Sequence, residues 1–280
     1  MQFMNISVFF LYLLRVAKQE KISLDKALNI AKNLGYDALD IDKEEVKNYP
    51  DAVKKIKSAG LKIVNVYGEY DLLNGKCDDA KELIDCALTC GAKIAMLLPG
   101  VFDESEFPED VKSDTAAMYK FLESDKKVLR ALEAIKKTVE YAKQKGVYLT
   151  IESFGSPRSL TSYISQIEWL ISKVDGLKFT FDIGNFYLNG QDIFSAYEKF
   201  NKHSVHVHCK DYLTFPPVKS KEFSYAKISV PVGNGQAPIK EIAKMFLDSG
   251  YDGYFTAEYL GVENSLKIIT KSAEFLKSIK

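Results

Sequence analysis

Four side chains that commonly bind metal ions follow one another through the second half of the 280-residue chain, each after a run of β-forming residues. They are Glu152, Asp182, His208 and Glu258. Three carboxylates brought close to one imidazole would repel one another unless a cation lay between them. Their mixed oxygen and nitrogen donors suit Mn, Mg or Co, and Zn is also compatible. The residue types therefore predict a site for one divalent metal ion.

Strand parity indicates that these residues converge. Successive side chains of a strand point to opposite faces, so residues of one parity share a face. The polar residues of each predicted strand have the same parity, in the sets Thr150 and Glu152, Thr180 and Asp182, His206, His208 and Lys210, and Thr256 and Glu258. We expect these polar faces to point toward the axis of a barrel, with the metal-capable residues at the C-terminal strand ends, where TIM-barrel enzymes build their sites.

The whole chain alternates short β-rich runs with longer helical patterns about eight times. Strands are predicted near residues 5–10, 38–41, 61–67, 92–98, 147–151, 177–181, 204–207 and 254–257. This rhythm predicts an α/β fold, a (β/α)8 TIM barrel formed as a single domain by residues 1–280. A doubly wound sheet would usually carry a glycine-rich turn after its first strand, and Gly233-Asn-Gly235 is not in that position.

Helix boundaries follow from capping residues and glycines. Ser23 is predicted to begin a helix that Gly35 ends. One continuous helix is expected from about Thr115 to Lys145, and an irregular segment from Tyr212 to Gly235. The apolar start, Phe3 to Leu14, is interpreted as the first strand and the loop leaving it, because it is too short to span a membrane.

Composition limits the classes of binding partner that we expect. Lys plus Arg and Asp plus Glu number 38 each, so the net charge is zero and no nucleic acid or anionic membrane is expected as a partner. The four cysteines form no Cys-x-x-Cys pair and are interpreted as free thiols of a cytoplasmic protein. The expected partner is a small-molecule sugar or sugar phosphate, and a homo-oligomer is compatible with the sequence.

Five segments together resemble a known family. They are Thr150-Ile-Glu152, Phe181-Asp-Ile-Gly-Asn185, Val207-His-Cys-Lys-Asp211, Pro231-Val-Gly-Asn-Gly235 and Gly250-Tyr-Asp-Gly-Tyr-Phe-Thr-Ala-Glu258. In order and spacing they are similar to the sugar phosphate isomerase/epimerase family of xylose isomerase-like TIM barrels. The resemblance implies that the four residues named at the outset bind one metal ion, usually Mn, Mg or Co, as in the family's ketose epimerases and inosose dehydratases.

A site of this kind predicts proton transfer on a hydroxy-ketone. The metal would act as a Lewis acid, and Glu152 and Glu258 would flank the reacting carbon. One glutamate would remove a proton, giving a metal-stabilised enediolate, and the other would return it from the opposite face. We therefore expect a metal-dependent isomerase or epimerase of a sugar, ketose or sugar phosphate.

Six further residues are candidates for contact with the substrate. They are Tyr67, Glu69, Arg158, Asn185, His206 and Lys210. Arg158 lies in the loop after Glu152, where it could hold an anionic or polyhydroxyl substrate. His206 shares the inward face with His208, although a buried, hydrogen-bonded histidine is an equal alternative. Lys210 is expected either to serve the pocket or to pair with Asp211.

Three rival functions stay open at this point. An inosose-type dehydratase, a lyase, would use the same site, because an enediolate beside a leaving hydroxyl loses water. An abasic-site endonuclease resembles the chain in fold but needs histidines from several strands, whereas His203, His206 and His208 lie on one strand, and Asn185 stands where that branch has histidine. The third rival is a non-catalytic sugar-binding barrel, against which the presence of both glutamates counts.

Overall fold

Eight parallel strands close into a barrel in the computed structural model, which describes residues 4–103, 106–108, 110–112, 114–215 and 226–279. The strands of the described residues are β1 (Asn5–Phe9), β2 (Ala38–Asp42), β3 (Lys62–Glu69), β4 (Ile94–Leu98), β5 (Tyr148–Glu152), β6 (Lys178–Asp182), β7 (Ser204–Phe215), β8 (Ala226–Val230) and β9 (Tyr254–Glu258). β9 pairs with both β1 and β7, and β6 pairs with β7, which closes the ring. β8 lies outside the ring and pairs antiparallel with β7. The predicted (β/α)8 fold is confirmed.

Helices surround the barrel on its outer face. In the described residues they are α1 (Phe10–Gln19), α2 (Leu24–Leu34), α3 (Lys43–Asn48), α4 (Ala52–Ser58), α5 (Lys81–Cys90), α6 (Thr115–Ser124), α7 (Lys126–Lys145), α8 (Ile164–Lys173), α9 (Ile183–Leu188), α10 (Ile193–Phe200), α11 (Ile239–Asp248) and α12 (Ser265–Ser278). A short 3-10 turn covers Asp110–Lys112. None of the helices among the described residues is long and apolar enough to cross a membrane.

Strand parity divides the interior as the sequence predicted. On β6, Phe181 faces outward and packs edge-on against Phe246 of α11, with ring centroids 5.3 Å apart. Thr180 faces inward, where its hydroxyl lies 2.8 Å from that of Thr150 on β5. The apolar core therefore lies between strands and helices, and a column of polar side chains fills the barrel axis.

Capping residues confirm the helix predicted after Ser23, but they divide another predicted helix into two. The Ser23 hydroxyl accepts a hydrogen bond from the Lys26 amide, and Gly35 ends α2 with a left-handed φ of 96°. The continuous helix predicted from Thr115 to Lys145 is wrong, because α6 and α7 meet at Asp125. Asp125 has extended backbone, and its carboxylate caps the first amides of α7, so it begins a new helix instead of continuing the old one.

Two other local predictions are also corrected. The loop predicted after the first strand is helix α1, because Phe10, Leu13 and Val16 recur at helical spacing and are fully buried. The segment predicted to be irregular from Tyr212 to Gly235 instead contains the end of β7 and all of β8, which pair over Asp211↔Val230 to Phe215↔Ala226. Residues 216–225 of that prediction lie outside the described residues.

Candidate metal centre

The barrel brings the four predicted metal ligands together at the C-terminal ends of its strands. Glu152, Asp182, His208 and Glu258 form this carboxylate cluster, and each offers a ligand atom within 4.8 Å of the others. The strand register produces this arrangement, since Asp182 on β6 is paired with His208 on β7. Glu152 and Glu258 end β5 and β9, the strands on either side of that pair.

His208 stands at the centre of the carboxylate cluster. Its Nδ1 lies 2.5 Å from Glu152 Oε1 and 3.3 Å from Glu258 Oε2. Its other ring nitrogen, Nε2, lies 3.1 Å from Asp40 Oδ2. When Nε2 carries a proton and donates it to Asp40, Nδ1 is the nitrogen that faces the three carboxylates.

Lys210 is the second cationic group of the site. Its Nζ lies 2.6 Å from Glu258 Oε1, 3.1 Å from Asp182 Oδ2 and 3.2 Å from Asn185 Oδ1, and only 4% of the residue is exposed. Lys210 therefore does not pair with Asp211, which was one of the two roles expected for it. Asp211 instead accepts hydrogen bonds from the backbone amides of Gly233, Gly235 and Ala237.

A close backbone approach allows this packing. Gly184 is the second residue of α9, and a Cβ at this position would lie 2.1 Å from the Lys210 carbonyl oxygen. Only glycine therefore lets α9 lie against β7. The approach also places Asn185 beside Lys210, and the Asn185 side-chain amide donates to the Ser153 carbonyl at 2.7 Å.

A second polar group lies deeper in the barrel, below the carboxylate cluster. This floor cluster consists of Ser7, Asp40, Asn65, His206 and Thr256, all of which are fully buried. Asp40 Oδ2 is 2.7 Å from His206 Nε2 and accepts from Asn65 Nδ2 at 2.8 Å. Asp40 Oδ1 accepts from the Thr256 and Ser7 hydroxyls at 3.1 and 3.3 Å.

Sequence reasoning missed Asp40, although it holds His208 in place. A signal was present, since Asp40 is a carboxylate between Leu39 and Ile41 in a predicted strand. Burial alone raises the pKa of Asp40, but His206 and His208 together lower it well below its usual range. Asp40 therefore remains ionised and accepts a ring N–H from each histidine.

A cavity of about 340 Å³ opens above the carboxylate cluster. It is lined by Phe9, Tyr67, Met96, Leu98, Glu152, Phe154, Gly155, Ser156, Asn185, Leu188, Lys210, Glu258 and Leu260. Of the six residues predicted to contact substrate, Tyr67, Asn185 and Lys210 line this cavity. Its volume falls within the range of small-molecule sites.

The other three predicted contact residues lie elsewhere. His206 is fully buried in the floor cluster, bonded to Asp40, and does not line the cavity. Arg158 is turned back from it, and its Nη1 donates to the Phe102 carbonyl at 3.1 Å. Glu69 is exposed and lines a neighbouring cavity with Lys43 and Tyr70. Expected contact between these three residues and a substrate is therefore not supported by their positions.

The family can now be stated from a match over most of the chain. A model of the family described as xylose isomerase-like TIM barrel matches residues 28–279. The chain belongs to this family. No curated protein matches the chain.

Several solved structures share this fold at low sequence identity. A probable 3-DHS dehydratase, AsbF, involved in petrobactin synthesis in Bacillus anthracis, is 16% identical with a TM-score of 0.72, over 99% of this chain and 100% of that one. A sugar phosphate isomerase/epimerase from Parabacteroides distasonis is 16% identical with a TM-score of 0.66, over 100% and 96%. A xylose isomerase-like protein from Mycobacterium smegmatis, in complex with magnesium, is 17% identical with a TM-score of 0.63, over 91% and 87%.

The carboxylate cluster of this family member fits a divalent metal ion. Asp182 Oδ2 and Glu258 Oε2 are buried and accept no hydrogen bond, although each lies near one cationic group. Buried carboxylate oxygens without hydrogen-bond partners are costly, and a cation among them would remove that cost. Three carboxylates and one imidazole are also the donor types that Mn, Mg, Co and Zn accept.

The pKa shifts in the carboxylate cluster show the same excess of negative charge. Burial raises the pKa of Asp182 well above its usual value, with Glu258 and Glu152 adding to the rise and Lys210 opposing it. Burial also raises the pKa of Glu258, but Lys210 and His208 outweigh it and lower this pKa to about 2. For His208, burial lowers the pKa, yet Glu152 and the bond to Asp40 raise it well above its ordinary value. The cluster thus favours added positive charge.

Proposed function

We propose that this protein is a divalent metal-dependent sugar isomerase or epimerase that moves a proton on the carbon next to a substrate carbonyl. The arrangement of Glu152 and Glu258 is the observation that carries the proposal. Both line the same cavity from the ends of β5 and β9, and His208 Nδ1 lies 2.5 Å from Glu152 Oε1 and 3.3 Å from Glu258 Oε2. A substrate carbon between two such carboxylates can lose a proton to one and regain it from the other.

The metal ion would be held by Glu152, Asp182, His208 and Glu258, and when bound it would supply Lewis-acid polarisation of the substrate carbonyl. Lys210 holds Glu258 through Oε1, and with His208 it keeps the Glu258 carboxylate ionised and able to accept a proton. Asp40 fixes the orientation of the His208 ring through Nε2. Phe9, packed against that ring at 5.2 Å between centroids, excludes water from one side of it.

The comparisons support this class of reaction without selecting its outcome. Structural neighbours include a sugar phosphate isomerase/epimerase and a D-tagatose 3-epimerase-like protein, which favour proton return. The probable 3-DHS dehydratase matches 99% of this chain, which favours loss of water from the same site. A dehydratase is therefore the second candidate.

Solvent exchange tests the proposal. The protein, with Mn added, is incubated in heavy water with a panel of ketoses, ketose phosphates and inososes, and the products are followed by NMR and mass spectrometry. Deuterium on the starting carbon indicates an epimerase, deuterium on its neighbour indicates an isomerase, and loss of water indicates a lyase. Absence of all three across the panel would contradict the proposal.

Glu258→Gln is the variant that probes the mechanism. We expect it to reduce exchange by at least about 100-fold, because the amide accepts no proton and general base catalysis contributes 10²–10⁴-fold. Glu274→Gln, on the exposed face of α12, is the matched control and should leave the rate unchanged. Exchange at the wild-type rate in Glu258→Gln would exclude the two-carboxylate scheme.

A further inference from the structure

The cavity above the carboxylate cluster has two unlike walls. Its charged wall carries Glu152, Asn185, Lys210 and Glu258, from the β5 to β9 side of the barrel, and the same side also contributes Phe154, Leu188 and Leu260. Its opposite wall carries Phe9, Tyr67, Met96 and Leu98, from the ends of β1, β3 and β4. A substrate that fills the cavity must therefore present oxygen atoms to one side and carbon-bound hydrogen to the other.

The apolar wall begins at the reacting centre itself. The Phe9 ring packs edge-on against His208 at 5.2 Å and against Tyr67 at 5.3 Å between centroids. Phe9 and Met96 are only 6% and 2% exposed, so their positions are set by packing. Hydroxyl groups placed against Phe9, Met96 and Leu98 would lose their hydrogen bonds to water and find no partner on these three side chains.

The cation on the charged wall is already engaged by groups of the protein. Lys210 Nζ lies 2.6 Å from Glu258 Oε1 and 3.1 Å from Asp182 Oδ2, and it donates to Asn185 Oδ1 at 3.2 Å. It is the only lysine or arginine among the described residues that line the cavity. Arg158, the nearest sequence candidate for an anion contact, donates to the Phe102 carbonyl instead.

The charges of the site also leave no excess for an anion. The site carries three negative charges when its carboxylates, Glu152, Asp182 and Glu258, are ionised. The ammonium of Lys210 and one bound divalent ion would together balance these three charges, if His208 is neutral when it binds the ion. A phosphate group carries nearly two negative charges at neutral pH. Bringing it into this cavity would add charge that no described lining residue offsets, at an energetic cost that grows as water is excluded.

From the two walls and the ion-paired Lys210, we infer that the substrate is an unphosphorylated hydroxy-ketone with a deoxygenated carbon on the side that faces Phe9, Met96 and Leu98. This inference rests on the proposed function, because it assumes that the reacting carbon lies between Glu152 and Glu258. It narrows the expected partner from a sugar or sugar phosphate to a neutral sugar with one apolar end.

A matched ligand series tests the inference. For each of the four D-ketohexoses, three compounds are compared that differ only at C6, where they carry hydrogen, hydroxyl or phosphate. Calorimetry on the Mn-loaded protein gives the affinities, and deuterium exchange gives kcat/KM. For the ketohexose that binds most tightly, the 6-deoxy compound is expected to exceed its parent in affinity and in kcat/KM by about tenfold, as for one polar group against an apolar pocket. The 6-phosphate is expected to have about 100-fold lower affinity and kcat/KM than the parent.

Two variants test whether the lining of the cavity sets the order of affinities in this series. Leu98→Asn keeps the size of the side chain, and it should reduce the preference for the 6-deoxy compound to about threefold or less. Leu260→Lys adds a cation at an exposed position on the cavity rim, and it should raise affinity for the phosphate by about tenfold. Leu129→Asn, on the outer surface of α7, is the control and should change neither ranking.

The two readouts separate this inference from the proposed function. Exchange with the phosphate preferred would overturn the inference and leave the proposed function intact. The predicted affinity ranking without exchange would contradict the proposed function and support the inference on its own. Equal affinity for all three members of each series, or no binding by any of them, would overturn the inference.

Discussion

The carboxylate cluster and the floor cluster occupy the same polar column but balance charge in opposite ways. In the floor cluster a single carboxylate, Asp40, accepts hydrogen bonds from several neutral or cationic donors, and both of its oxygens are used. In the carboxylate cluster three carboxylates share two cationic partners, His208 and Lys210, and Asp182 Oδ1 accepts from the Asn185 amide, but two buried oxygens accept no hydrogen bond. Both oxygens of the floor carboxylate are thus hydrogen-bonded, although Asn65 Oδ1 and His206 Nδ1 have no hydrogen-bond partner among the described residues, whereas the layer above has two unpartnered carboxylate oxygens that a cation would satisfy.

His208 links the two layers. Its Nε2 belongs to the floor through Asp40, and its Nδ1 belongs to the carboxylate cluster through Glu152 and Glu258. Changes in the floor should therefore act first on stability and only through His208 on metal binding. Changes in the upper layer should act on stability in a way that metal ions can offset.

Asp40→Asn should have the largest effect on the free energy of unfolding. It leaves two histidine N–H groups competing for one neutral amide oxygen, and breaking a buried ionic contact costs about 3 to 5 kcal/mol. Urea unfolding in EDTA measures this loss, and Asp248→Asn at the exposed end of α11 is the control, expected to stay within about 0.5 kcal/mol. Calorimetry should also show a roughly 10- to 100-fold weaker affinity for Mn, because His208 loses its orienting partner. Wild-type stability in Asp40→Asn would show that the floor does not depend on this charge.

Lys210→Met should lower stability by about 3 kcal/mol in EDTA, because it leaves Asp182 and Glu258 without their shared ammonium. Saturating Mn should recover most of this loss, since the ion would supply the missing positive charge to the same carboxylates. The same addition should recover little of the loss in Asp40→Asn. An equal gain in thermal stability from Mn in wild type and Lys210→Met would break the proposed contrast between the layers.

The pH dependence of stability should separate Asp40 from the rest of the protein. Its folded-state pKa lies below that of an unfolded aspartate, about 3.9. A depressed pKa contributes stability that is present above the unfolded value and is lost as the pH falls toward the folded value. The difference in unfolding free energy between wild type and Asp40→Asn should therefore be constant from about pH 5 to 7 and shrink below about pH 4. A difference that stays constant down to pH 3 would exclude a lowered pKa for Asp40.

Ser7→Ala should have the smallest effect. It removes a hydroxyl that donates to Asp40 Oδ1 at 3.3 Å and also contacts the Thr256 hydroxyl, and it leaves the hydrogen bond from Thr256 to Asp40 in place. The expected loss is about 1 to 2 kcal/mol, as for one or two neutral hydrogen bonds. Because Ser7 does not touch His208, Mn affinity measured by calorimetry should stay within about twofold. A large fall in affinity would mean that the two layers are coupled by more than His208.

What the sequence determined by itself was the local pattern. Period-two alternation placed Glu152, Asp182, His208 and Glu258 on one face, and their position after β-forming runs located them at strand ends, because both properties depend only on neighbouring residues. The prediction of one helix from Thr115 to Lys145 was wrong because the apolar periodicity continues across Asp125. The helix ends there because the Asp125 carboxylate caps the first amides of the next helix.

Only the tertiary structure decided which distant side chains meet. Asp40 contacts His206 and His208 across sequence separations of 166 and 168 residues, and this contact exists because the barrel closes. The partner of Lys210 is likewise not its neighbour Asp211 but residues on β6, α9 and β9 that the register brings within reach. Arg158 follows Glu152 closely along the chain and still turns away, because its loop packs against Phe102. Periodicity along a strand is local, whereas ring closure and register set the pairing across the barrel.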